Sequence, residues 1–397
     1  MIERISVVQL FYTFDVEVGG GGLSRFAIEL GKHLDPKLFD VSLVSLGYYS
    51  SPLGKIRINE LNSGGIKAYE ATNWQENAPY DSFIKSVLAL RKLYIQTPVD
   101  ILHSHSEYTD VVAILLKSMG VTHHILRTVH YGYQYEWSTK PVRRALLTNF
   151  LYPILFNQEI GINQFNTNRL NRRWIARLLK RRAQRVYNAI PLDQFKSTMV
   201  DSNYKKETLG IPPNAIVVGT VGRLAEQKGY TYLVDAVPII LEKFPQAYFL
   251  IIGDGPLAEN LKFQANSLGV SSRITFTGGR TDVEELLKCM DVFVSSSLWE
   301  GLPTVILESM ACGVPVVATD IEGTRELITN GQNGILSEAR SGVALASGIL
   351  TILENKTMSK ELSAYAQKTV ERFSIDKIAK EYETLYENLL DKSNSTA

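Results

Sequence analysis

Short runs of β-branched and apolar residues alternate along this chain with longer amphipathic stretches, and that alternation admits few folds. A strand followed by a helix is normally followed by a parallel strand, because the helical crossover returns the chain to the end of the sheet where it started. The runs RISVVQL (4–10), DVSLVSL (40–46), VDILHSH (99–105) and HHILRTV (123–129) predict strands of a front sheet, with helices such as LSRFAIELGKHL (23–34) between them. The pattern then restarts with AIVVGTVGRL (215–224), AYFLIIGD (247–254), RITFTGG (273–279), DVFVSSS (291–297) and PVVATD (315–320). Between the two series Asn188, Pro191 and Asp193 interrupt the periodicity, which places a linker at 187–195. A chain of 397 residues is long enough for two cores. The expectation is an α/β protein of two Rossmann-like, doubly wound domains facing across a cleft, residues 1–190 and 191–375.

Charge narrows the partners. The formal net charge is +1, which argues against a general nucleic-acid binder. It is unevenly spread: residues 1–190 carry +8 (23 Lys and Arg against 15 Asp and Glu) and residues 191–397 carry −7 (19 against 26). The front half could therefore face an anionic substrate or a membrane surface, or simply be unevenly charged. Two cysteines, Cys289 and Cys312, lie in apolar segments and read as reduced core residues of a cytoplasmic protein. The start, MIERISVVQLFY, reads as a first strand rather than a signal peptide, and no apolar stretch approaches the roughly 18 residues that span a bilayer.

The richest stretch is SSSLWEGLPTVILESMACGVPVVAT, residues 295–319. Pro303 suits the first turn of a helix, Gly313 its end, and Pro315 lies just beyond. Amides at Gly301, Leu302 and Thr304 would then favour a phosphate at the helix N-terminus. Glu308, about 6 Å further along the axis, could accept bonds from a ribose attached to that phosphate. Glu300, ahead of the helix, could reach the group on the other side. The alternative is a surface Glu300 and a solvated Glu308, against which stand the apolar neighbours Ile306, Leu307 and Met310.

Other segments are more open. In GTVGRLAEQKGY, Gly219 and Gly222 end a strand, and Arg223 and Lys228 follow where phosphates bind in such sheets, so two cations could neutralise a diphosphate leaving group. Gly253, Gly255, Gly278 and Gly279 serve either tight turns or approach to a ligand, and Asp282 reads as a helix N-cap or a ligand contact. Gly19 to Gly22 separate the first strand from the first helix, but Arg25 stands where a dinucleotide fingerprint needs glycine or alanine, so a flexible active-site lip is expected. All six histidines (His33, His103, His105, His123, His124 and His130) lie in the front half. His103 and His105 share one strand face, a spacing some metal hydrolases use, but two open domains do not fit that architecture, and with no Asp-x-Asp pair no required metal is expected. Residues 169–185 hold eight bases around Leu170, Trp174, Ile175, Leu178 and Leu179, which fits a solvated basic helix over a core stripe or a helix on an anionic membrane. The aromatics of HYGYQYEWS (130–138) could line an acceptor site or pack.

Together these residues resemble the retaining glycosyltransferases of family 4, which have the two-domain GT-B architecture. The resemblance is strongest over 215–335 and rests on Glu-x7-Glu (Glu300 and Glu308, with Gly-Leu-Pro after the first), on Arg223 with Lys228 and Gly229, and on the early glycine loop. It implies that Arg223 and Lys228 hold the donor diphosphate, Glu308 the ribose, and Glu300 with Gly301 and Leu302 the donor sugar. It further implies that Gly20 and Gly21 line the glycine loop, that His130 sits by the reacting sugar, that His105 is a second histidine of the front domain's cleft side, and that Arg280 borders the base. The last helix, 376–397, would cross back to the front domain. This chain departs from the family at Asn188-Ala189, where Asn-Gly is usual.

The implied reaction is transfer of a hexose from a nucleotide diphosphate sugar to a saccharide or lipid-linked saccharide hydroxyl, with anomeric retention, in polysaccharide biosynthesis. UDP-glucose is the first expectation for the donor, with UDP-GlcNAc and GDP-mannose open, and no cofactor is expected. Two other readings stand beside it: a sugar-nucleotide epimerase of the same architecture, and a catalytically silent sugar-nucleotide binding module.

Overall fold

The computed structural model describes residues 4–16, 21–47, 51–74, 77–130 and 145–394. The chain divides into two compact units, Met1–Ala189 with Ile375–Ala397, and Ile190–Ser374. The change of unit at Ala189 lies inside the segment where Asn188 and Pro191 break the periodicity.

The front unit is built on seven strands: β1 (Ile5–Phe11), β2 (Phe39–Ser45), β3 (Lys67–Glu70), β4 (Val99–Ser104), β5 (Thr122–Val129), β6 (Gln158–Gly161) and β7 (Gln184–Arg185). They pair in the order β3-β2-β1-β4-β5-β6-β7, every pairing parallel. Alternate residues of the central strands feed two cores, as the period of two requires. Val8, Leu10, Leu102 and Ile125 pack on one face with Leu90, Val112 and Tyr152. Val7, Ile101 and Leu126 pack on the other with Phe26 and Leu30 of the helix Gly21–His33 and with Ile378, Tyr382 and Tyr386 of the helix Ile375–Asn394.

The back unit repeats the plan with β8 (Ile216–Val221), β9 (Ala247–Ile252), β10 (Ile274–Phe276), β11 (Val292–Ser295), β12 (Val316–Thr319) and β13 (Ile335–Ser337), all parallel, in the order β10-β9-β8-β11-β12-β13. Its core joins Val218, Phe249 and Val294 to Leu233 and Val237 of the helix Tyr230–Lys243 and to Leu345 and Ile349 of the helix Gly342–Glu354. In each sheet the strand order reverses beside the unit's first strand, between β1 and β4 and between β8 and β11. Crossovers leave in opposite directions there, so the carboxyl ends of those strands are where ligands bind in this class of sheet.

Several expectations change. Residues 169–185 are not one helix over a core stripe: Gln164–Arg172 and Trp174–Leu178 are separate helices, broken at Arg173 (φ −63°, ψ 129°). Arg173 is buried, with its guanidinium on the carbonyls of Leu170 and Thr148 and on Glu159, and those bonds demand the break. Of the larger apolar residues only Leu170 is fully buried, while Trp174, Leu178 and Leu179 are exposed. Gly21 and Gly22 open the helix Gly21–His33 rather than lying in a lip, and a Cβ at Gly21 would meet the Val16 carbonyl oxygen at 1.8 Å. Gly19 and Gly20 lie outside the described residues, as do all of residues 131–144. Cys312 is half-buried rather than in the core, and Cys289 is buried.

Candidate functional site

In the back unit two loops leave the carboxyl ends of β8 and β11 and are stitched together by backbone-directed bonds. Leu298 N donates to Gln227 O (2.7 Å), Ser296 Oγ to Lys228 O (2.8 Å), and Gln227 Nε2 to Trp299 O (3.0 Å). Gly229 (φ +58°) is needed here twice over, for its left-handed backbone and because a Cβ would meet Ser296 O at 2.3 Å. The result is that Lys228 Nζ lies 2.6 Å from Glu300 Oε1. Ser297 Oγ donates to the same oxygen at 2.8 Å, and Gln227 Nε2 reaches Oε2 at 3.3 Å. Glu300 is thus a carboxylate held by one charge and two neutral donors, with 7% of its side chain exposed. Such charge-assisted bonds fix its direction. The cation expected at a diphosphate is paired with the carboxylate expected at the sugar.

The helix Thr304–Ala311 follows Gly301, Leu302 and Pro303. Pro303 is its N-cap (φ −72°, ψ 96°) rather than its first turn, and no side chain caps its amides. Gly301, Leu302 and Pro303 are buried and Thr304 is half-buried. Glu308, one turn in, is 2% exposed, which removes the reading of a solvated helix residue. Behind the loop lies Gly323, where a Cβ would meet Glu300 O at 2.8 Å, Glu300 Cβ at 2.9 Å and Gly301 O at 2.9 Å, so only glycine lets the next crossover pack there.

Arg223 is exposed on the loop after β8. Gly222, Gly253 and Gly255 let that loop and the one after β9 touch: Gly222 N bonds Ile252 O (2.9 Å) and Leu224 N bonds Asp254 O (2.8 Å), while a Cβ on Gly253 would stand 2.1 Å from Gly222 O. Loop packing therefore accounts for Gly253 and Gly255. Arg280 does not present a free charge, since its guanidinium grips Asp282 at 2.7 and 2.8 Å. Asp282 precedes the helix Val283–Leu287 but makes no capping bond; Arg280 and Lys205 hold its carboxyl well below the usual carboxylate range.

In the front unit three of the six histidines, His103, His105 and His130, join a chain of hydrogen bonds at the carboxyl ends of β1, β4 and β5. Gln9 Nε2 donates to Tyr386 Oη (2.9 Å), and Tyr386 Oη lies 2.8 Å from His103 Nδ1. His103 Nε2 lies 2.8 Å from Thr128 Oγ1, itself 3.1 Å from Tyr382 Oη. Gln9 Oε1 lies 2.8 Å from His105 Nε2, and His105 Nδ1 lies 3.2 Å from His130 Nε2. All of these residues are buried. Burial pushes His103 and His130 down to about 3 and His105 well below its ordinary value, so each ring is neutral, with one donor and one acceptor.

Neutrality fixes the direction of the chain. An amide oxygen only accepts, so His105 carries its proton on Nε2, its Nδ1 accepts, and the proton between it and His130 belongs to His130 Nε2. His130 Nδ1 is left as a buried acceptor with no hydrogen-bond partner among the described residues. Both nitrogens of His103 and of His105 are occupied by organic partners, which removes the metal-hydrolase reading of His-Ser-His. Among the described residues no group of three or more His, Cys, Asp or Glu is placed to hold a metal ion.

The structure therefore brings Glu300 and Lys228 together, sets Glu308 in the adjoining helix, and links His105 to His130. It leaves Arg223 exposed and commits Arg280 to Asp282. Sequence reasoning missed Ser297, Gln227 and Gly323 around Glu300, and Gln9 and Tyr386 behind the histidines. Ser297 and Gln227 flank residues already singled out; nothing local marks Gln9 or Tyr386.

Two family descriptions match: Glycosyltransferase Family 4 over residues 20–193 and Glycosyl transferases group 1 over residues 201–369. The UDP-Gal:alpha-D-GlcNAc-diphosphoundecaprenol alpha-1,3-galactosyltransferase of Escherichia coli is 26% identical over 92% of this chain and 93% of its own length. The N-acetyl-alpha-D-glucosaminyl L-malate synthase of Bacillus anthracis is 26% identical over 94% of this chain and 95% of its own. Among solved structures, Anabaena HepE in complex with UDP and glucose superposes with a TM-score of 0.78 at 22% identity, covering 97% of this chain and all of that one. With one family description over each unit and relatives aligned over nearly their whole length, the chain belongs to glycosyltransferase family 4 and has the GT-B fold.

Proposed function

We propose that this protein transfers a hexose from a UDP-sugar to a hydroxyl of a saccharide carried on a lipid, with retention at the anomeric carbon and without a metal. The observation that carries the reading is the Glu300 carboxylate, held by Lys228, Ser297 and Gln227 at the strand-order reversal of the back unit, on the loop that leads into the helix carrying the buried Glu308. A UDP-sugar donor and a lipid-linked acceptor are the chemistry named for the Escherichia coli relative, and UDP with glucose is bound by HepE. UDP-galactose therefore joins UDP-glucose as a first donor to test.

In this reading the helix N-terminus at Thr304 and the cations Lys228 and Arg223 stabilise the leaving diphosphate. Glu308 takes the ribose hydroxyls, and Glu300 orients the sugar. In the front unit His130 Nδ1 accepts a hydrogen bond from a sugar hydroxyl. The acceptor oxygen attacks the anomeric carbon from the face the diphosphate leaves. The carbon–oxygen bond to phosphate breaks as the new glycosidic bond forms, and the acceptor proton passes to the departing phosphate oxygen, giving UDP. Positioning and charge stabilisation carry the rate, since no side chain is required as a covalent nucleophile.

Melting with millimolar UDP, GDP, ADP or NAD tests the site first. A nucleotide at about 100 times its dissociation constant adds about 2.7 kcal/mol of stability, so a rise with UDP alone, lost in Glu308→Ala, is expected. Product analysis then follows with UDP-glucose, UDP-galactose and UDP-GlcNAc without acceptor. Slow release of UDP and free sugar is the expected outcome, whereas a changed sugar on intact nucleotide makes the protein an epimerase. No melting shift with any nucleotide removes the donor site argued here.

A further inference from the structure

Residues 145–182 of the front unit present an apolar face that the proposed chemistry does not use. The π-helical turn Leu147–Leu151, the helix Tyr152–Leu155 and the helix Trp174–Leu178 pack against one another. Two arginines lock them. Arg173, at the start of the last helix, donates to Thr148 O (2.7 Å), and Arg181, just past its end, donates to the carbonyls of Pro153 (3.3 Å), Ile154 (2.8 Å) and Phe156 (2.6 Å). Arg127, beneath, lies 4.2 Å over the Tyr152 ring and joins Glu159 and Asp110 in a buried charge network. The inward side is thus tied to the rest of the front unit.

The outward side is not what a solvated face looks like. Phe150, Leu151, Ile154, Trp174, Leu178 and Leu179 are all exposed, Trp174 at 57% and Leu178 at 69%. Phe150 and Trp174 touch edge to face, with ring centroids 5.7 Å apart, so the two elements share one apolar surface. Exposed singly such residues mean little; gathered on neighbouring elements they mark a surface with a partner. Around them stand Arg172, Arg177, Lys180, Arg181 and Arg182, all exposed. From 145 to 185 the sequence contains a single acid, Glu159, and it is buried between Arg127 and Arg173.

We propose that this face seats the enzyme on an anionic lipid bilayer, with Trp174, Leu178, Leu151 and Ile154 entering the interface and the bases meeting lipid phosphates. Charge selects this occupant. A second copy would bring an equally basic rim against this one, which like charges oppose. Nucleic acid offers phosphates but no apolar phase for leucine and isoleucine. A bilayer carrying acidic headgroups supplies both, and tryptophan and arginine beside aliphatic residues suit its boundary. The inference deepens the proposed acceptor class, since a lipid-linked saccharide lies at such a surface, but its evidence is separate from the donor site.

Cosedimentation of the full-length protein with vesicles containing no acceptor and no sugar nucleotide tests it without the transferase reading. Binding is expected to phosphatidylcholine vesicles containing about one third phosphatidylglycerol, not to pure phosphatidylcholine, and to weaken as salt rises from about 0.1 M to about 1 M. The pairs Trp174→Ser with Leu178→Ser, and Arg177→Glu with Lys180→Glu, are each expected to lower partitioning about tenfold or more. The charge pair should leave the melting temperature unchanged, the Trp174 pair should lower it only slightly through the lost contact with Phe150, and release of UDP without acceptor should stay unchanged in both, since these side chains lie outside the proposed site. Equal binding to both vesicle types, or variants that bind as the parent does, overturns the proposal. So does a concentration-dependent dimer in sedimentation velocity that both pairs abolish, which would assign the face to a second copy.

Discussion

Tyr386 Oη accepts a hydrogen bond from Gln9 Nε2 and turns its own proton toward His103, so one phenol in the last helix orients an amide in the first strand. That amide decides which nitrogen of His105, and through it of His130, carries a proton. Tyr386 is therefore a positioning residue in the proposed reaction, acting through Gln9 and two imidazoles. Tyr386→Phe removes the hydroxyl but not the ring, leaves Gln9 Nε2 and His103 Nδ1 short of a partner, and frees the amide to turn over. Each buried group so stranded costs about 1–3 kcal/mol. The expected outcome is a lower melting temperature together with a turnover reduced about tenfold, equivalent to about 1.4 kcal/mol of transition-state stabilisation. The shift of melting temperature by UDP should persist, because Glu308 and Lys228 belong to the other unit. Tyr382→Phe is the control: its hydroxyl meets only Thr128 in this chain of bonds, so it should lose stability with little change in turnover. Equal turnover loss in both variants would reduce the role of Tyr386 to packing.

At the scale of elements, the last helix, Ile375–Asn394, belongs to the core of the front unit although it follows the whole back unit in sequence. Ile375, Ile378, Ala379, Tyr382, Leu385 and Tyr386 are buried there, and Glu383 Oε1 accepts from Asp35 N at 2.7 Å. Burying each larger apolar side chain stabilises by about 1.5–3 kcal/mol, so their sum rivals the 5–15 kcal/mol that holds a typical domain together. Truncation after Ser374 should therefore unfold the front unit and leave the back unit, which closes its own core, able to bind UDP. Hydrogen exchange by mass spectrometry checks this: full loss of protection in β1 and β4 with retention in β8 and β11 is expected. Protection retained in β1 would mean the helix is an accessory. The strands that periodicity revealed are those rich in Val, Ile and Leu. It missed β3 and β6, four residues each, β13, three residues, and β7, two, because runs so short show no alternation. The loops carrying Lys228 and Glu300 were legible because glycine and charge cluster locally. The break at Arg173 and the pairing of Gln9 with Tyr386 depend on partners tens to hundreds of residues away, which no local pattern encodes.

For the whole molecule, the distribution of titrating groups sets how it meets acid. All six histidines lie before residue 131, so the back unit has none. His103 and His130 are pushed down to about 3 by burial, below the usual 6.5, and His105 falls in the same direction. A depressed folded-state value means the unfolded chain binds more protons between pH 6.5 and about 3, so stability present at neutral pH is lost as pH falls through that window. Each such histidine contributes a slope of about 1.4 kcal/mol per pH unit at most, and their shared network makes the three less than additive. Asp110 works in the opposite sense, since burial pushes its carboxyl up to about 7, which costs stability as pH rises. A His103→Gln variant keeps Asp110 and removes one titrating ring, so the difference between the two proteins isolates the histidine term. Amide protection in β1, β4 and β5 should fall between pH 7 and pH 5 after correction for intrinsic exchange, and should fall less steeply in His103→Gln. Protection in β8, β11 and β12 should fall less over the same range, because that unit contains no histidine. Equal slopes in the two proteins would mean that His103 does not stay neutral in the folded state, and the fixed direction of the hydrogen-bond chain from Gln9 to His130 would go with it.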